Sequence, residues 1–253
     1  MASKKRVRRS KPSDPRVAEI LAELSSLGSE GNRAGMARFG INVEHAFGVS
    51  VVVLRKLARR WKRDHLLAQA LWATGQHEAR LLACFVDDPA QVNEAQMEAW
   101  ALDFNSWDLC DQATILWSRS GEGPFAWIKA KAWAGREEEW VKRAAFSMMA
   151  GLATHDKQAK DAAFSKLFPL IVRGAFDERN FVKKSVNWAL RGIGKRNLVL
   201  HGQALACAER ILAEAERRDP RSPEARAARW VAKDAIRELT APKTRARVAV
   251  RSA

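Results

Sequence analysis

Apolar residues recur along this chain with the period of an α-helix, and this pattern constrains the fold more than any other feature. Stripes with spacings of three and four residues begin at Val17 and Ile20 and continue as far as Val231 and Ile236. The alternation typical of β-strands is essentially absent, since the one β-branched run, at residues 49–53, continues into a helical stripe. The sequence therefore predicts an all-α protein.

The expected helices are short, and so are the segments between them, which favours antiparallel helix pairs. Several pairs take roughly 35–45 residues, the period of HEAT-type repeats. We therefore predict an α-solenoid of HEAT-like antiparallel helix pairs with a concave basic face, in which each pair buries its apolar side against its neighbours. A compact helical bundle is the alternative, because no strict consensus recurs from pair to pair.

Positive charge is concentrated at the two ends of the chain. The 253 residues carry a net charge of +15, of which residues 1–16 contribute +6 and residues 241–253 contribute +4. We predict disordered basic tails at residues 1–13 and 241–253 and a repeat domain at 14–240. Such a balance favours a polyanionic partner, most often nucleic acid, although basic tails can also serve solubility alone.

Composition excludes several other classes of protein. With 47% apolar residues the chain can form a sizeable core, and no apolar run is long enough to cross a membrane. Three widely spaced cysteines exclude a disulfide framework and favour a reducing, cytoplasmic location. Since the five histidines show no ligand-like spacing, we expect neither a metal nor a cofactor.

Three segments carry residues suited to binding or catalysis. In the first, Trp107 and Asp111 are four residues apart and share one face of a helix that Ser106 can cap. An aromatic ring beside a carboxylate suits a cationic ligand. A core tryptophan next to a solvated or salt-bridged acid is the alternative for this spacing.

The other two segments combine aromatic and cationic side chains. Arg143 precedes an apolar helix face and could bind a carboxylate or a phosphate. Lys184, Trp188 and Arg191 form one helical stripe that suits contacts with phosphates and bases, although amphipathic helices also commonly carry a tryptophan at the polar boundary. Trp107 and Arg143 are 36 residues apart, and Arg143 and Trp188 are 45 apart. In a solenoid these spacings would place all three segments on one concave surface.

These segments resemble a known family. The motifs SWDLCD, WVKRAAF and KSVNWALRGIGK, with MARFGI and GVSVVVLRKLAR upstream, are similar to those of the DNA alkylation repair family of AlkD-type, HEAT-like glycosylases. The similarity extends from about residue 32 to residue 239. It implies excision of N3- and N7-alkylated purines from double-stranded DNA, without the base flipping that is usual for glycosylases.

The resemblance also implies roles for individual residues. Asp111 corresponds to the catalytic aspartate, and Trp107 and Trp188 to the two tryptophans that flank the lesion. Arg143 and Arg191 would contact the DNA backbone, and Lys184 fits the same role. Phe39 replaces a tyrosine of the best-known members, so that the ring is kept and the hydroxyl is lost.

From these observations we expect a monomeric, monofunctional glycosylase that leaves an abasic site. A non-catalytic HEAT-like module that binds distorted or damaged DNA is the alternative. A third possibility is a protein-binding solenoid whose tails alone contact nucleic acid. Asp111 separates the first two, because a module that only binds has no use for a carboxylate facing a polyanion.

Overall fold

The computed structural model describes residues 14–119 and 125–252, and the chain divides into two compact units, the first ending at Val92 and the second beginning at Asn93. The described residues are helices joined by short connections, with no β-strand among them. This confirms the predicted all-α class. None of the described helices has the length and apolar character needed to span a membrane.

The described residues of the first unit, from residue 14 to Val92, contain five α-helices. They are α1 (Arg16–Ser26), α2 (Glu30–Arg38), α3 (Val51–Ala58), α4 (His65–Ala73) and α5 (His77–Val86), with 3-10 turns at Arg59–Trp61 and Pro89–Gln91. The core is leucine-rich, and α5 packs against both α3 and α4. The amphipathic stripes of the sequence thus become the buried faces of short helices.

A buried carboxylate fixes the connection between α2 and α3. Glu78 on α5 is fully buried and accepts backbone hydrogen bonds from Phe47, Gly48 and Val49, with distances of 2.8, 2.7 and 3.2 Å. Gly48 has a φ of +86°, and a Cβ there would collide with the backbone oxygen of Ser29. The connection therefore requires glycine at this position.

The second unit contains the remaining helices. They are α6 (Glu94–Leu102), α7 (Trp107–Trp117), α8 (Phe125–Ala132), α9 (Glu139–His155), α10 (Asp161–Ser165), α11 (Phe168–Gly174), α12 (Asn180–Gly194), α13 (Leu198–Glu216), α14 (Pro223–Thr240) and α15 (Pro242–Ser252), with a 3-10 turn at Trp133–Gly135. Helix α9 is the most buried, and it packs against α7, α8 and α12. Its contact with α12 is close because Gly192 lies over Ala150, where an added Cβ would be 3.4 Å from the Ala150 Cα.

Two terminal predictions have different outcomes. Residues 1–13 lie outside the described residues, so the predicted N-terminal tail stays a prediction. The predicted disorder of residues 241–253 is wrong for Pro242–Ser252, which form helix α15. Val248 is fully buried where α15 packs against α13 and α14, and Arg251 donates to the Lys195 carbonyl at 2.9 Å. One buried valine and one side-chain hydrogen bond thus attach a segment that otherwise looks polar.

Candidate active site

The start of α7 holds the first predicted segment. Ser106 is the N-cap residue, as expected, but its fully buried hydroxyl donates to the Asp108 carboxylate at 2.7 Å instead of capping a backbone N–H. Asp108 Oδ1 also accepts the Leu109 N–H at 2.9 Å. Asp108 therefore stabilises the first turn of the helix. Asp111, one turn further along, presents the other carboxylate of the segment.

Asp111 is bound at two points by Arg143, which projects from α9. The Arg143 Nε donates to Asp111 Oδ1 at 3.1 Å, and Nη2 donates to Oδ2 at 2.7 Å. Ser147, one turn after Arg143, donates its hydroxyl to Asp111 Oδ1 at 2.9 Å. An ionised carboxylate has about four acceptor positions, so these three bonds leave roughly one for another group.

Arg143 links three helices of the second unit. Besides binding Asp111 on α7, it donates from Nη1 to the Phe181 carbonyl at the start of α12, at 2.7 Å. The side chain of Arg143 is only 6% exposed, and that of Asp111 is 13% exposed. The sequence predicts that Arg143 contacts the DNA backbone. In the structure the guanidinium is buried and donates to Asp111 and to the Phe181 carbonyl, and the contact with DNA stays a prediction.

Burial sets the electrostatics of this cluster. It raises the pKa of Asp111 above the usual value for an aspartate, while the Arg143 guanidinium and the Ser147 hydroxyl act in the opposite direction. Burial also raises the pKa of the neighbouring Cys110 thiol well above its usual value. The thiol therefore stays protonated, and negative charge in this cluster comes from the carboxylates of Asp111 and its neighbour Asp108.

The two predicted tryptophans lie on different helices of this unit. Trp107 opens α7, one turn before Asp111, and is half-buried. Trp188 is half-buried on α12, the helix whose first carbonyls Arg143 reaches. A tilted aromatic pair, Trp140 with Phe181, connects α9 and α12 near that point with ring centroids 5.0 Å apart. The helix bearing Asp111 and the helix bearing Trp188 are thus both attached to α9.

The predicted cations of α12 differ in their surroundings. Arg191 forms ion pairs with Glu238 and, at 3.7 Å, with Asp234, both on α14. Lys195 also binds Glu238. Arg191 therefore ties α12 to α14, and its expected contact with the DNA backbone stays a prediction. Lys184 is exposed, and its expected contact with the DNA backbone also stays a prediction.

Phe39 belongs to the other unit. It follows α2 directly and is 74% exposed, with its backbone N–H bonded to the Met36 carbonyl at 3.0 Å. Its predicted role as an aromatic wall stays a prediction. Among residues 14–119 and 125–252, no group of three or more histidine, cysteine or acidic side chains could hold a metal ion.

Two members of the site were missed in the sequence. Ser147 is four residues after Arg143 and thus on the same helix face, a spacing that could have identified it. The Phe181 carbonyl is a backbone group and has no side-chain signal. Its participation depends on the packing of α12 against α9.

The chain belongs to the DNA alkylation repair enzyme family, whose model matches residues 20–239. A similar solved structure is described as belonging to "a new family of proteins related to the HEAT-like repeat DNA glycosylases with affinity for branched DNA structures". It is 23% identical, with a TM-score of 0.66, over 76% of this chain and 82% of that chain. This likeness confirms the predicted HEAT-like fold. No curated protein matches the chain significantly.

Proposed function

We propose that this protein is a DNA glycosylase that hydrolyses the N-glycosidic bond of N3- and N7-alkylated purines in double-stranded DNA and leaves an abasic site. The observation that carries the proposal is the placement of Asp111. Its carboxylate is fixed by Arg143 and Ser147, yet it retains 13% exposure one helical turn from Trp107. It is therefore both immobilised and accessible to a ligand.

The chemistry requires a negative group of this kind. An N3- or N7-alkylpurine carries a positive charge and is a good leaving group, and its departure develops positive charge on the deoxyribose. A carboxylate fixed beforehand stabilises that charge without reorganising during the reaction. Because the developing charge exists mainly in the transition state, the interaction accelerates bond cleavage and does not simply tighten binding. We assign this role to Asp111, which can also orient the attacking water through its remaining acceptor position.

Arg143 and Ser147 act through Asp111. They hold the carboxylate in one orientation and favour its ionised form against the effect of burial. Trp107 supplies a π face beside the carboxylate, and a cation over an aromatic face is stabilised by about 0.5–2 kcal/mol. Trp188 on α12 is the second ring that we propose to lie against the lesion nucleotide.

A monofunctional enzyme is in keeping with the lysine next to this cluster. Lys142 precedes Arg143, and its side-chain nitrogen is engaged by the Asp177 carboxylate at 2.9 Å. A Schiff base requires a neutral amine. We therefore propose that water is the nucleophile.

A binding-only role is the second candidate, and the ion pair between Asp111 and Arg143 favours it. A buried aspartate that is bound at two points by arginine can be purely structural, because it joins α7 to α9 and α12. In that case the protein would bind DNA without cleaving it. The fold of the solved relative is compatible with either role.

Base release separates the two candidates. Duplex DNA treated with a methylating agent is incubated with the protein, and the released bases are resolved by chromatography. The proposed function predicts free 3-methyladenine or 7-methylguanine, together with alkali-labile abasic sites in the DNA. Tight binding of the same DNA with neither product would establish the binding-only role.

A further inference from the structure

A dense run of cations lies in the first unit, outside the cluster around Asp111. Residues 55–63 contain six arginines and lysines and no acidic residue. All six are exposed, and the run extends from α3 through the 3-10 turn Arg59–Trp61 to the start of α4. Such a concentration of like charge destabilises the folded state by self-repulsion, and it attracts an anionic partner.

The end of this run lines a groove of about 450 Å³. We call it the Trp61 groove; its lining residues include Arg60, Trp61, Lys62, Arg63 and His65. The Arg60 guanidinium lies over the Trp61 ring, 5.6 Å from the centroid, and also pairs with Glu23 at 2.8 Å. The ring is half-buried, so it serves as a fixed platform for the arginine.

The histidine of the groove is also held in place. His65 Nδ1 lies 2.7 Å from Asp87 Oδ1, and the side chain of Asp87 is fully buried. A histidine held through one ring nitrogen can offer the other to a ligand in a defined direction. Side chains oriented in this way indicate a shaped binding surface and not a merely solvated helix end.

The acidic side chains beside the groove already have partners. Asp64 binds Arg16 at 2.7 Å and caps α4 through the Leu67 N–H at 2.9 Å. Asp88 accepts from Gln91 at 3.0 Å and from the Ala90 N–H at 3.2 Å. Within the described part of the chain, no ion pair joins Lys62 or Arg63 to a carboxylate. These two cations are therefore available to an external anion.

We infer that the Trp61 groove is a second DNA-contact site, which binds the phosphodiester backbone of duplex DNA. Exposed Arg and Lys side chains around a groove match the charge and spacing of consecutive phosphates, and such contacts position a protein without reading sequence. The inference rests on the proposed DNA partner but not on base release. It gives the first unit a binding role of its own.

The test measures affinity for an undamaged duplex at several salt concentrations. The groove variant combines K62Q and R63Q, because Arg60 is already paired with Glu23. The control combines K160Q and K166Q, which remove the same charge from exposed positions of the second unit. The groove variant should lose at least about tenfold in affinity at low salt, and its log–log salt slope should flatten by about 1–2, since each phosphate contact contributes roughly 0.9.

The control should change both quantities much less. The inference is overturned if the two variants lose affinity equally, if the groove variant binds as the wild type does, or if the wild type does not bind duplex DNA. Because no base release enters this measurement, a catalytically inactive wild type would count against the proposed activity alone. In that case the inference that the Trp61 groove binds duplex DNA would remain supported.

Discussion

Arg143 holds Asp111 through two parallel hydrogen bonds, of 3.1 Å from Nε and 2.7 Å from Nη2, across the contact between α9 and α7. This arrangement changes the expected role of the arginine. A guanidinium that is 6% exposed and already bound to a carboxylate and a carbonyl is poorly placed to bind DNA phosphates. Its main effect is to fix the orientation and charge of Asp111.

The first prediction therefore concerns Arg143→Lys. Lysine keeps the charge but loses the planar fork, so Asp111 is held at one point. We expect base release to fall about tenfold or more and the free energy of unfolding to decrease by about 1–3 kcal/mol. The salt slope of duplex binding should stay unchanged. If the variant instead showed a flatter salt slope with normal stability, the result would support the predicted contact of Arg143 with the DNA backbone.

The second prediction concerns Ser147→Ala. The Ser147 hydroxyl stabilises the ionised form of Asp111, so its loss should raise the pKa of Asp111 further. Because the reaction needs the carboxylate, the acidic limb of the rate–pH profile should move to higher pH. Ser185→Ala is the matched control, since that buried hydroxyl donates only to the Val182 carbonyl at 2.8 Å. An unshifted limb would mean that Asp111 does not govern the profile.

The third prediction uses the ion pairs of Asp177. Arg179 and Lys142 lie 2.6 and 2.9 Å from its carboxylate, and they lower its pKa to about 2 against the opposing effect of burial. A depressed carboxyl pKa stabilises the fold above the unfolded value near 3.8, and this stabilisation is lost as the pH falls towards 2. Asp177→Asn should therefore lower stability by about 1 kcal/mol at pH 7. Urea unfolding should show the difference from wild type vanishing near pH 2.

The fourth prediction tests the docking of α15. Val248 is fully buried and Val250 is 79% exposed, although both lie on the same helix. Val248→Ala should cost about 1–2 kcal/mol, from about 0.8 kcal/mol for each buried methylene-sized group removed. Val250→Ala should be nearly neutral. If the two substitutions changed the thermal unfolding temperature equally, the packing of α15 would be contradicted and the predicted disorder of the segment supported.

The fifth prediction concerns the cysteines. Cys84, Cys110 and Cys207 are all buried, and burial raises the pKa of Cys207 to about 12. Since only the thiolate reacts readily, none of the three should react with a disulfide reagent in the native protein. All three should react after denaturation. Rapid native labelling of one thiol would show that its helix opens.

The helical class and the position of Trp107 and Asp111 on one helix could be predicted, because both follow from local periodicity. The partners of the arginines could not. Asp111 and Arg143 are 32 residues apart, and Arg191 and Glu238 are 47 apart. No local rule distinguishes an arginine that binds a carboxylate on a neighbouring helix from one that binds phosphate. Which of the two partners an arginine binds depends on how deeply it is buried, and its burial is known only once the helices are packed.

The structure of residues 242–252 could not be predicted for a related reason. Their apolar content is low, and the helix packs through the buried side chain of Val248 where α15 contacts α13 and α14. The cationic run at residues 55–63 is plain in the sequence. The groove beside it, however, exists only once α3 and α4 are placed.

The central claim, that Asp111 performs catalysis, is tested most directly by single-turnover base release from methylated duplex at saturating protein. Asp111→Asn is compared with Asp177→Asn, which removes another ion-paired carboxylate of the same unit and so controls for lost stability. We predict that Asp111→Asn lowers the rate at least about tenfold, as expected for loss of a charge that stabilises the transition state, while Asp177→Asn keeps it. Equal rates for the two folded variants would contradict the claim and leave the Asp111–Arg143 pair a structural link between helices.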